Sequence, residues 1–252
     1  MANDTIVNLA AEAGKIMLQN GGETYRVEQT IGMICQAYNI KDTQSFVSPT
    51  AIITSTTSDD GKNSTIIKRI TARSIDLNKV AMINDLSRKV QNNPLSFDEF
   101  KKALHEISKY PSYSPLLKMI FAGLTTASFT FLFGGRIFDF IAAFFTGMII
   151  NRVCALLARF RVNDFFINII GGTIAGLIGL SASSLSPVFH EDVIIIGSIM
   201  LLVPGLIITN AIRDTIAGDL ISGLSRGLEA IVIAGAIAIG AAFSFKLWMY
   251  IV

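Results

Sequence analysis

Polar and ionisable residues interrupt an otherwise apolar part of the chain between residues 204 and 229. The segment reads PGLIITNAIRDTIAGDLISGLSRGLE and stands between two apolar runs of membrane-spanning length. An ionisable group inside or beside a membrane span is costly, so its presence there indicates a functional role. The Pro204-Gly205 pair would break a helix and free backbone groups that could line a cavity. We therefore expect the chemistry of this protein in this segment.

Asn210, Arg213 and Asp214 stand at positions i, i+3 and i+4, which share one face of a helix. They place an amide, a cation and a carboxylate shortly after the break. In a broken helix, exposed N-terminal amides favour a substrate carboxylate, and free carbonyls favour an ammonium group or a cation. We predict that these three residues, together with Pro204 and Gly205, bind a small polar substrate.

Four further charged residues extend this prediction. Asp219, Arg226 and Glu229 follow in the same segment and are predicted to act in coupling or gating; a solvated cytoplasmic turn is the equally weighted alternative. Arg152 lies inside an earlier apolar run and is assigned to substrate binding. It could instead snorkel to the inner membrane interface, and the residues alone leave the two interpretations open.

The composition indicates a membrane protein with two unlike parts. Of the 252 residues, 51% are hydrophobic, and the mean hydropathy is +0.54. Most of the charge lies before residue 115, and five later runs approach the roughly 20 residues that a spanning helix needs: 115–134, 137–158, 165–185, 193–212 and 228–247. The predicted fold is a polytopic α-helical membrane protein with five transmembrane helices in residues 115–252 and an N-terminal cytoplasmic α+β domain in residues 1–114.

Basic residues beside the short loops predict the orientation. Arg159, Arg161, Arg213 and Arg226 flank loops on one side, whereas the loop at 187–192 on the other side is acidic. The positive-inside rule then places the N-terminus in the cytoplasm and the C-terminus outside. The N-terminal residues lack the pattern of a signal peptide. The expected location is a bacterial plasma membrane, crossed several times.

Periodicity predicts the elements of the N-terminal domain. Helical spacing over 6–17 and 27–38 indicates a helical hairpin that turns at Gly21-Gly22 and ends at Asn39. Residues rich in Thr, Ile and Val over 44–57 and 64–73 indicate two strands joined by a turn over 59–63, and Pro49 favours an edge or a bulge.

Two helix starts follow this sheet. Asp76 is predicted to cap one helix, and Ser96 to open a second through a capping box. A linker over 110–115 ends the domain. The charged segment 23–28 is interpreted as a solvated helix end, because exposed charges are common and individually contribute little.

The N-terminal domain lacks the signatures of an enzyme. His105 is its one histidine, and the G-x-S-x-G, H-E-x-x-H, Walker and G-x-G-x-x-G patterns are missing. The two cysteines, Cys35 and Cys154, are too far apart in sequence to suggest a metal motif. We predict no catalytic residue, no metal, no cofactor and no nucleic-acid partner.

Small residues recur along the third apolar run. Gly172, Gly176, Gly179 and Ser183 follow one another at spacings of four, three and four. Such a stripe lets two helix backbones approach closely, and helix packing is preferred here over the lining of a substrate path.

Several short motifs resemble the threonine/serine exporter family. They are Gly-Gly-Glu-Thr at 21–24, Leu-Val-Pro-Gly at 202–205, Thr-Asn-Ala-Ile-Arg-Asp at 209–214, Gly-Asp at 218–219 and Ser-Gly-Leu-Ser-Arg at 222–226. The resemblance covers essentially the whole chain and implies a secondary exporter of small metabolites driven by the proton motive force. It implies no catalytic residues.

The family resemblance also implies partners. Its members include fused chains with a second hydrophobic half and split forms that act with a separate small membrane subunit. This chain resembles the larger partner of a split pair, so a second small membrane subunit is expected, and a homo-oligomer is left open. Hydroxy amino acids and succinate-like dicarboxylates both remain candidate substrates. The alternatives are a membrane-anchored scaffold or sensor, and a hydrolase that works through the N-terminal domain.

Overall fold

The computed structural model describes residues 2–40, 42–57, 61 and 63–251. Its contacts divide the chain into two compact units. The first unit comprises residues 1–112 and 206–227, and the second comprises residues 113–205 and 228–252. The predicted domain boundary at residue 114 stays a prediction.

The first unit packs helices against a small sheet. Its helices within the N-terminal part are α1 (Ala2–Gln19), α2 (Thr24–Ala37), α3 (Leu77–Asn92) and α4 (Phe97–Lys109). Apolar residues at helical spacing face a shared core, whose largest fully buried members include Phe100, Met17 and Ile31. α1 and α2 form the predicted hairpin, and Asn39 adopts a positive φ of 62° directly after it, which confirms the predicted left-handed cap.

The strands described in this unit form an antiparallel sheet in the order β1 (Thr43–Ser48), β2 (Ala51–Thr57), β3 (Asn63–Arg69). The region 44–57, predicted as one strand, is therefore two strands joined by a turn at Pro49-Thr50. Proline lacks an N–H and fixes φ near −65°, so it favours a turn over a continued ladder. Most of the turn predicted over 59–63 lies outside the described residues.

The predicted helix starts are confirmed. The Asp76 carboxylate accepts a hydrogen bond from the Lys79 N–H at 3.3 Å. Ser96 and Glu99 exchange the two bonds of a capping box, at 3.4 and 3.0 Å. Ser114 caps the first helix of the second unit, with Pro115 in the first helical turn.

The second unit consists mainly of long apolar helices. These are α5 (Pro115–Leu132), α6 (Ile137–Arg159), α7 (Asp164–Leu185) and the larger part of α10 (Leu220–Ile251), together with the short α8 (Glu191–Ile199). Within the described residues, four helices are long and apolar enough to cross a membrane: α5, α6, α7 and Leu220–Tyr250 of α10. These four confirm the predicted spans at 115–134, 137–158, 165–185 and 228–247.

The predicted span at 193–212 is not one helix. It divides into α8, a turn over residues 200–203 and α9 (Gly205–Ile216). Pro204 has no N–H to donate to the preceding turn, and the Gly205 N–H bonds instead to the Val203 carbonyl at 2.8 Å. The break expected at Pro204-Gly205 is therefore present, but neither half reaches the length of a span.

The small-residue stripe of α7 packs against α10 at Gly172 and Gly176 and against α8 at Gly179. A Cβ atom added at Gly172 would lie 2.6 Å from the Ile237 carbonyl oxygen, and one at Gly176 would collide with Ser244. The stripe thus permits close backbone contact, which is the packing role preferred above.

A buried carboxylate fixes the loop between α7 and α8. Asp139, at the start of α6, is fully buried and accepts bonds from the His190 N–H at 2.8 Å and from the Arg136 N–H at 2.8 Å. The His190 ring Nδ1 lies 3.0 Å from the same carboxylate.

Candidate functional site

Polar residues from two distant parts of the sequence meet within the first unit. One part is the turn between α1 and α2, with Gly21, Gly22 and Glu23, together with Thr24, the first residue of α2. The other is residues 206–227, which contain α9, a short turn and the start of α10. We call this group of side chains the 24/214 cluster, after the hydrogen bond between Thr24 and Asp214.

The turn between α1 and α2 exposes backbone carbonyls to the cluster. Gly21 has a φ of 98°, which favours glycine, and a Cβ atom at Gly22 would lie 2.8 Å from the Met17 carbonyl oxygen. The Asn210 amide donates to the Gly21 carbonyl at 3.2 Å, and Arg226 donates to the Gly22 carbonyl at 3.1 Å. Both glycines therefore let the chain turn tightly while its carbonyls receive donors from α9 and α10.

Asp214 is the centre of the cluster. It has no solvent-exposed surface, and its Oδ1 accepts a hydrogen bond of 2.6 Å from the Thr24 hydroxyl. Its Oδ2 lies 3.0 Å from the Nε of Arg226, whose side chain is 8% exposed. The Thr24 hydroxyl and the Arg226 guanidinium group thus supply the donor and the cation that offset the loss of water around a buried carboxylate.

Asp219 approaches the same threonine. Its Oδ2 lies 3.4 Å from the Thr24 Oγ1, which is longer than the bond to Asp214. Because a hydroxyl carries one proton, Thr24 can donate to only one of the two carboxylates at a time. Asp219 is thus the alternative acceptor for the Thr24 hydroxyl.

A second ion pair lies at the rim of the cluster. Arg213 pairs with the carboxylate of Glu23, and Arg26 lies 3.4 Å from the same carboxylate. The Arg213 side chain is half exposed, whereas that of Glu23 is 10% exposed. Arg213 therefore has donors that face solvent, while its partner is held inside the fold.

Glu28 adds a fourth carboxylate that the sequence analysis did not assign to the site. Its Oε1 accepts the Val47 N–H at 2.9 Å, and the Ser222 hydroxyl donates to the Val47 carbonyl at 3.2 Å. Burial raises the pKa of Glu28, the Val47 bond lowers it, and the negative charges of Asp219 and Asp214 raise it again, so that the net shift is upward. Glu28 therefore holds a proton more readily than an exposed glutamate.

The charges of the cluster do not cancel when every group is ionised. The carboxylates of Glu23, Glu28, Asp214 and Asp219 number four, against the three guanidinium groups of Arg26, Arg213 and Arg226. One excess negative charge in a partly buried site favours the uptake of a proton or a small cation.

α9 presents its polar face to the cluster and its apolar face outward. Asn210 and Asp214 are buried, whereas Ile208, Ile212 and Ile216 are exposed. This is the reverse of a helix on a soluble protein, whose apolar stripe faces the core.

The structure brings together five of the predicted site residues: Asn210, Arg213, Asp214, Asp219 and Arg226. The others, Arg152, Pro204, Gly205 and Glu229, belong to the second unit, and Arg152 is exposed there. Their assignment to the site stays a prediction.

The interpretation of residues 23–28 as a solvated helix end is wrong. Glu23 is 7% exposed, and Thr24 is fully buried. Thr24 has the same helical spacing as the buried Val27 and Ile31, so it lies on the inward face of α2. That spacing is the signal in the sequence that could have identified it.

Two other features bear on the chemistry of the chain. Within the described residues, no group of three or more His, Cys, Asp and Glu side chains is arranged to hold a metal ion. Both cysteines are free thiols, and burial raises the pKa of Cys35.

Comparison with known proteins identifies the family. The sequence profile of the threonine/serine exporter family, ThrE, matches residues 8–248. The chain belongs to this family. It is therefore a transporter-family protein rather than an enzyme, with several membrane-spanning helices.

Individual relatives have low sequence identity to this chain but align with nearly its whole length. The chain is 24% identical to the "Probable threonine/serine exporter" of Mycobacterium tuberculosis and 24% identical to the "Threonine/serine exporter" of Corynebacterium glutamicum, over 96% of its own length in each case. It spans 46% and 51% of those two proteins.

A relative of similar size is the "Probable succinate transporter subunit YjjP" of Escherichia coli. It is 25% identical over 96% of this chain and 94% of its own length. The ThrE chain described here thus spans about half of the two named exporters and nearly all of a protein named as a subunit. No solved structure matches it.

Proposed function

We propose that this ThrE-family chain is one subunit of a secondary exporter for small metabolites that carry a carboxylate, such as threonine, serine or a succinate-like dicarboxylate. The observation that carries the proposal is the buried Asp214, held by Thr24 and Arg226 in a chain of the exporter family. A buried ionic group that links two distant segments is an expensive arrangement, and such groups in transporters mark substrate or ion sites.

Arg213 is the proposed contact for the substrate carboxylate. A guanidinium group binds a carboxylate through two parallel bonds, and half of the Arg213 side chain faces solvent. Glu23 holds one side of the guanidinium group and orients it, while Asn210 fixes the adjacent turn.

Carboxylates deeper in the cluster are the proposed coupling groups. Loss of the negative charge on Asp214 would weaken its ion pair with Arg226 and make it a weaker acceptor for the Thr24 hydroxyl, which could then turn to the charged Asp219. Glu28, with its raised pKa, holds a proton more readily than an exposed glutamate and is proposed to take part in proton binding. We therefore propose coupling to the proton motive force, with Asp219 and Arg226 as parts of the switch.

The remaining assignments extend the same proposal. Arg152 and Glu229 of the second unit, with the Pro204-Gly205 break, are proposed to contribute to the substrate path and its gating. A second small membrane subunit is proposed as a partner, because the relative of matching length is named a subunit. The N-terminus is proposed to be cytoplasmic and the C-terminus external, on the evidence of the basic residues beside the loops.

Reconstitution tests this function directly. The chain is placed in liposomes with and without a small membrane protein encoded beside it, and efflux of labelled threonine, serine and succinate is measured under an imposed proton gradient. Transport that depends on the chain and the gradient supports the proposal. Failure to move any of the three in either arrangement contradicts it.

Two variants then test the site at equal membrane abundance. Arg213→Lys should impair efflux although the charge is kept, because an ammonium group cannot reproduce the planar fork. Asp214→Asn should change the pH dependence of efflux. Wild-type efflux in both variants would show that the segment only anchors the chain.

Tags test the orientation. A tag after Asp4 and one in the loop at 159–163 should be protected in intact cells, while a tag in the loop at 186–192 should be accessible. Accessibility of the loop at 159–163 would reverse the proposed topology.

A further inference from the structure

A cavity lies in the first unit, apart from the 24/214 cluster, and none of the residues of that cluster lines it. It has a volume of about 570 Å³ and opens between α1 and α4, with Lys68 of β3 at one side. Cavities of this size commonly hold small molecules. The proposed transport function makes no use of it.

The floor of this α1/α4 cavity is apolar. Leu9, Ile16 and Leu104 line it and are 7%, 5% and 3% exposed. These side chains belong to the core of the unit, so the floor is part of the folded packing. A ligand with a hydrocarbon body would cover apolar surface here.

One wall is formed by a carboxylate between two ammonium groups. Lys68 alternates inward on β3, and its Nζ lies 3.1 Å from the Glu12 Oε2; the Nζ of Lys15 lies 3.2 Å from the Glu12 Oε1. Burial raises the pKa of Glu12, but its bonds to the two lysines outweigh this and lower it, so Glu12 is ionised at neutral pH. Two cations thus share a single anion, and Lys68 keeps donors that its bond to Glu12 does not use.

The opposite wall, on α4, also carries positive charge. Lys101, Lys102 and His105 line the cavity there, against the single carboxylate of Asp98. With Lys68, three lysines line the cavity, against the two carboxylates of Glu12 and Asp98. Glu12 also pairs with Lys15, which lies outside the lining. A ligand that fits this cavity would therefore carry a negative charge for the lysines and an apolar part for the floor.

An inward-pointing lysine on an edge strand can also act against strand-to-strand aggregation, and β3 is an edge strand. That role explains Lys68 alone. It explains neither the open volume above Leu9 and Ile16 nor the cations that α4 contributes from the other side.

We propose that the α1/α4 cavity is a binding site for a small organic carboxylate with a hydrocarbon body. The carboxylate would lie between Lys68 and the Lys102 and His105 side of the cavity, with its apolar part on Leu9, Ile16 and Leu104. This site is independent of the transport path, and it gives the N-terminal domain a ligand of its own.

The test uses the full chain in lipid nanodiscs and isothermal titration calorimetry at low salt, with empty nanodiscs as the blank. Three probes separate the requirements: hexanoate has both charge and hydrocarbon, hexanamide lacks the charge, and acetate lacks the hydrocarbon. Hexanoate should bind at least about ten-fold more tightly than hexanamide, since one charge-assisted contact accounts for a factor of that size. It should also bind at least about ten-fold more tightly than acetate, since acetate has no hydrocarbon to cover the apolar floor. Added salt should weaken hexanoate binding.

Variants locate the site. Lys68→Met keeps the length of the side chain and leaves Lys15 on Glu12, so the fold should persist, and hexanoate binding should weaken about ten-fold. Lys102→Met changes an exposed side chain and should also weaken binding. Lys89→Met, on α3 and outside the cavity, is the matched control and should bind as the unsubstituted chain does.

Several results would overturn the proposal. These are no binding of hexanoate to the full chain, equal binding of hexanoate and hexanamide, or unchanged hexanoate affinity in both Lys68→Met and Lys102→Met. None of these measurements depends on export, so they separate this proposal from the transport function.

Discussion

Replacing Asp214 by asparagine should loosen the segment that contains α9 from the rest of the first unit. The change leaves Arg226, which is 6% exposed, without its carboxylate partner. Breaking one side of a buried ion pair typically costs about 3–5 kcal/mol. We expect the lower end, about 3 kcal/mol, because asparagine retains an oxygen for the Thr24 hydroxyl and Arg226 retains its bond to the Gly22 carbonyl.

Hydrogen exchange of the full chain in nanodiscs measures this opening. A loss of about 3 kcal/mol corresponds to an increase of roughly a hundred-fold in the exchange rates of amides that open with the segment. The increase should appear in peptides from 206–227 and from 21–24, while peptides from α7 serve as an internal reference. Asp85→Asn, at an exposed carboxylate of α3, is the matched control and should leave all rates unchanged.

A double substitution separates the ion pair from other effects. Adding Arg226→Met to Asp214→Asn removes the guanidinium group that paired with Asp214, and the two changes should show a coupling of about 1–3 kcal/mol. Unaltered exchange in Asp214→Asn, or strictly additive effects in the double variant, would show that the pair does not hold the segment in place.

Three further predictions concern stability. Burial and nearby carboxylates raise the pKa of Glu28 above 4.5, so the folded chain loses stability as the pH rises through this raised pKa. At pH 7, Glu28→Gln should therefore have a melting temperature at least as high as that of the unsubstituted chain. The difference in melting temperature between the two should shrink towards about pH 4. A lower melting temperature of Glu28→Gln at pH 7 would contradict this. Gly22→Ala should destabilise the first unit by about 1–3 kcal/mol, since the added Cβ meets the Met17 carbonyl. The measurement is the hydrogen-exchange rate of amides in α1 and α2, and unchanged rates would contradict the prediction. Asp139→Ala should release the loop held at His190 and cost about 1.5–3 kcal/mol, measured as faster protease cleavage at 186–190; equal cleavage would refute the role of that carboxylate.

Local features of the chain were open to prediction from the sequence. The spans α5, α6 and α7 depend on runs of apolar residues long enough for a bilayer, and length is a property that a sequence displays directly. The caps at Asp76 and Ser96 depend on residues three positions apart, so they too are visible without a structure. The same holds for the break at Pro204, because proline lacks an N–H wherever it stands.

Features that depend on which segment packs against which were decided by the tertiary structure. Proline predicted a break at residue 204, but only the fold shows that α9 joins the N-terminal part in one unit. The strand predicted across Pro49 is a hairpin, because the register that pairs Ser48 with Ala51 buries Val47 and Ile52.

One half of the candidate site could be predicted from the sequence, and the other half depends on the tertiary structure. The spacing of Asn210, Arg213 and Asp214 identified one half of the 24/214 cluster, since i, i+3 and i+4 share a helix face. Local sequence predicts a solvated helix end for the other half, Glu23 and Thr24, because it does not show that each has a partner 190 residues away in the chain. Local patterns thus predicted the helices and the residues that could carry charge into the membrane region. Long-range packing alone determined which charges meet, because the energy of a buried ion depends on neighbours that no local spacing specifies.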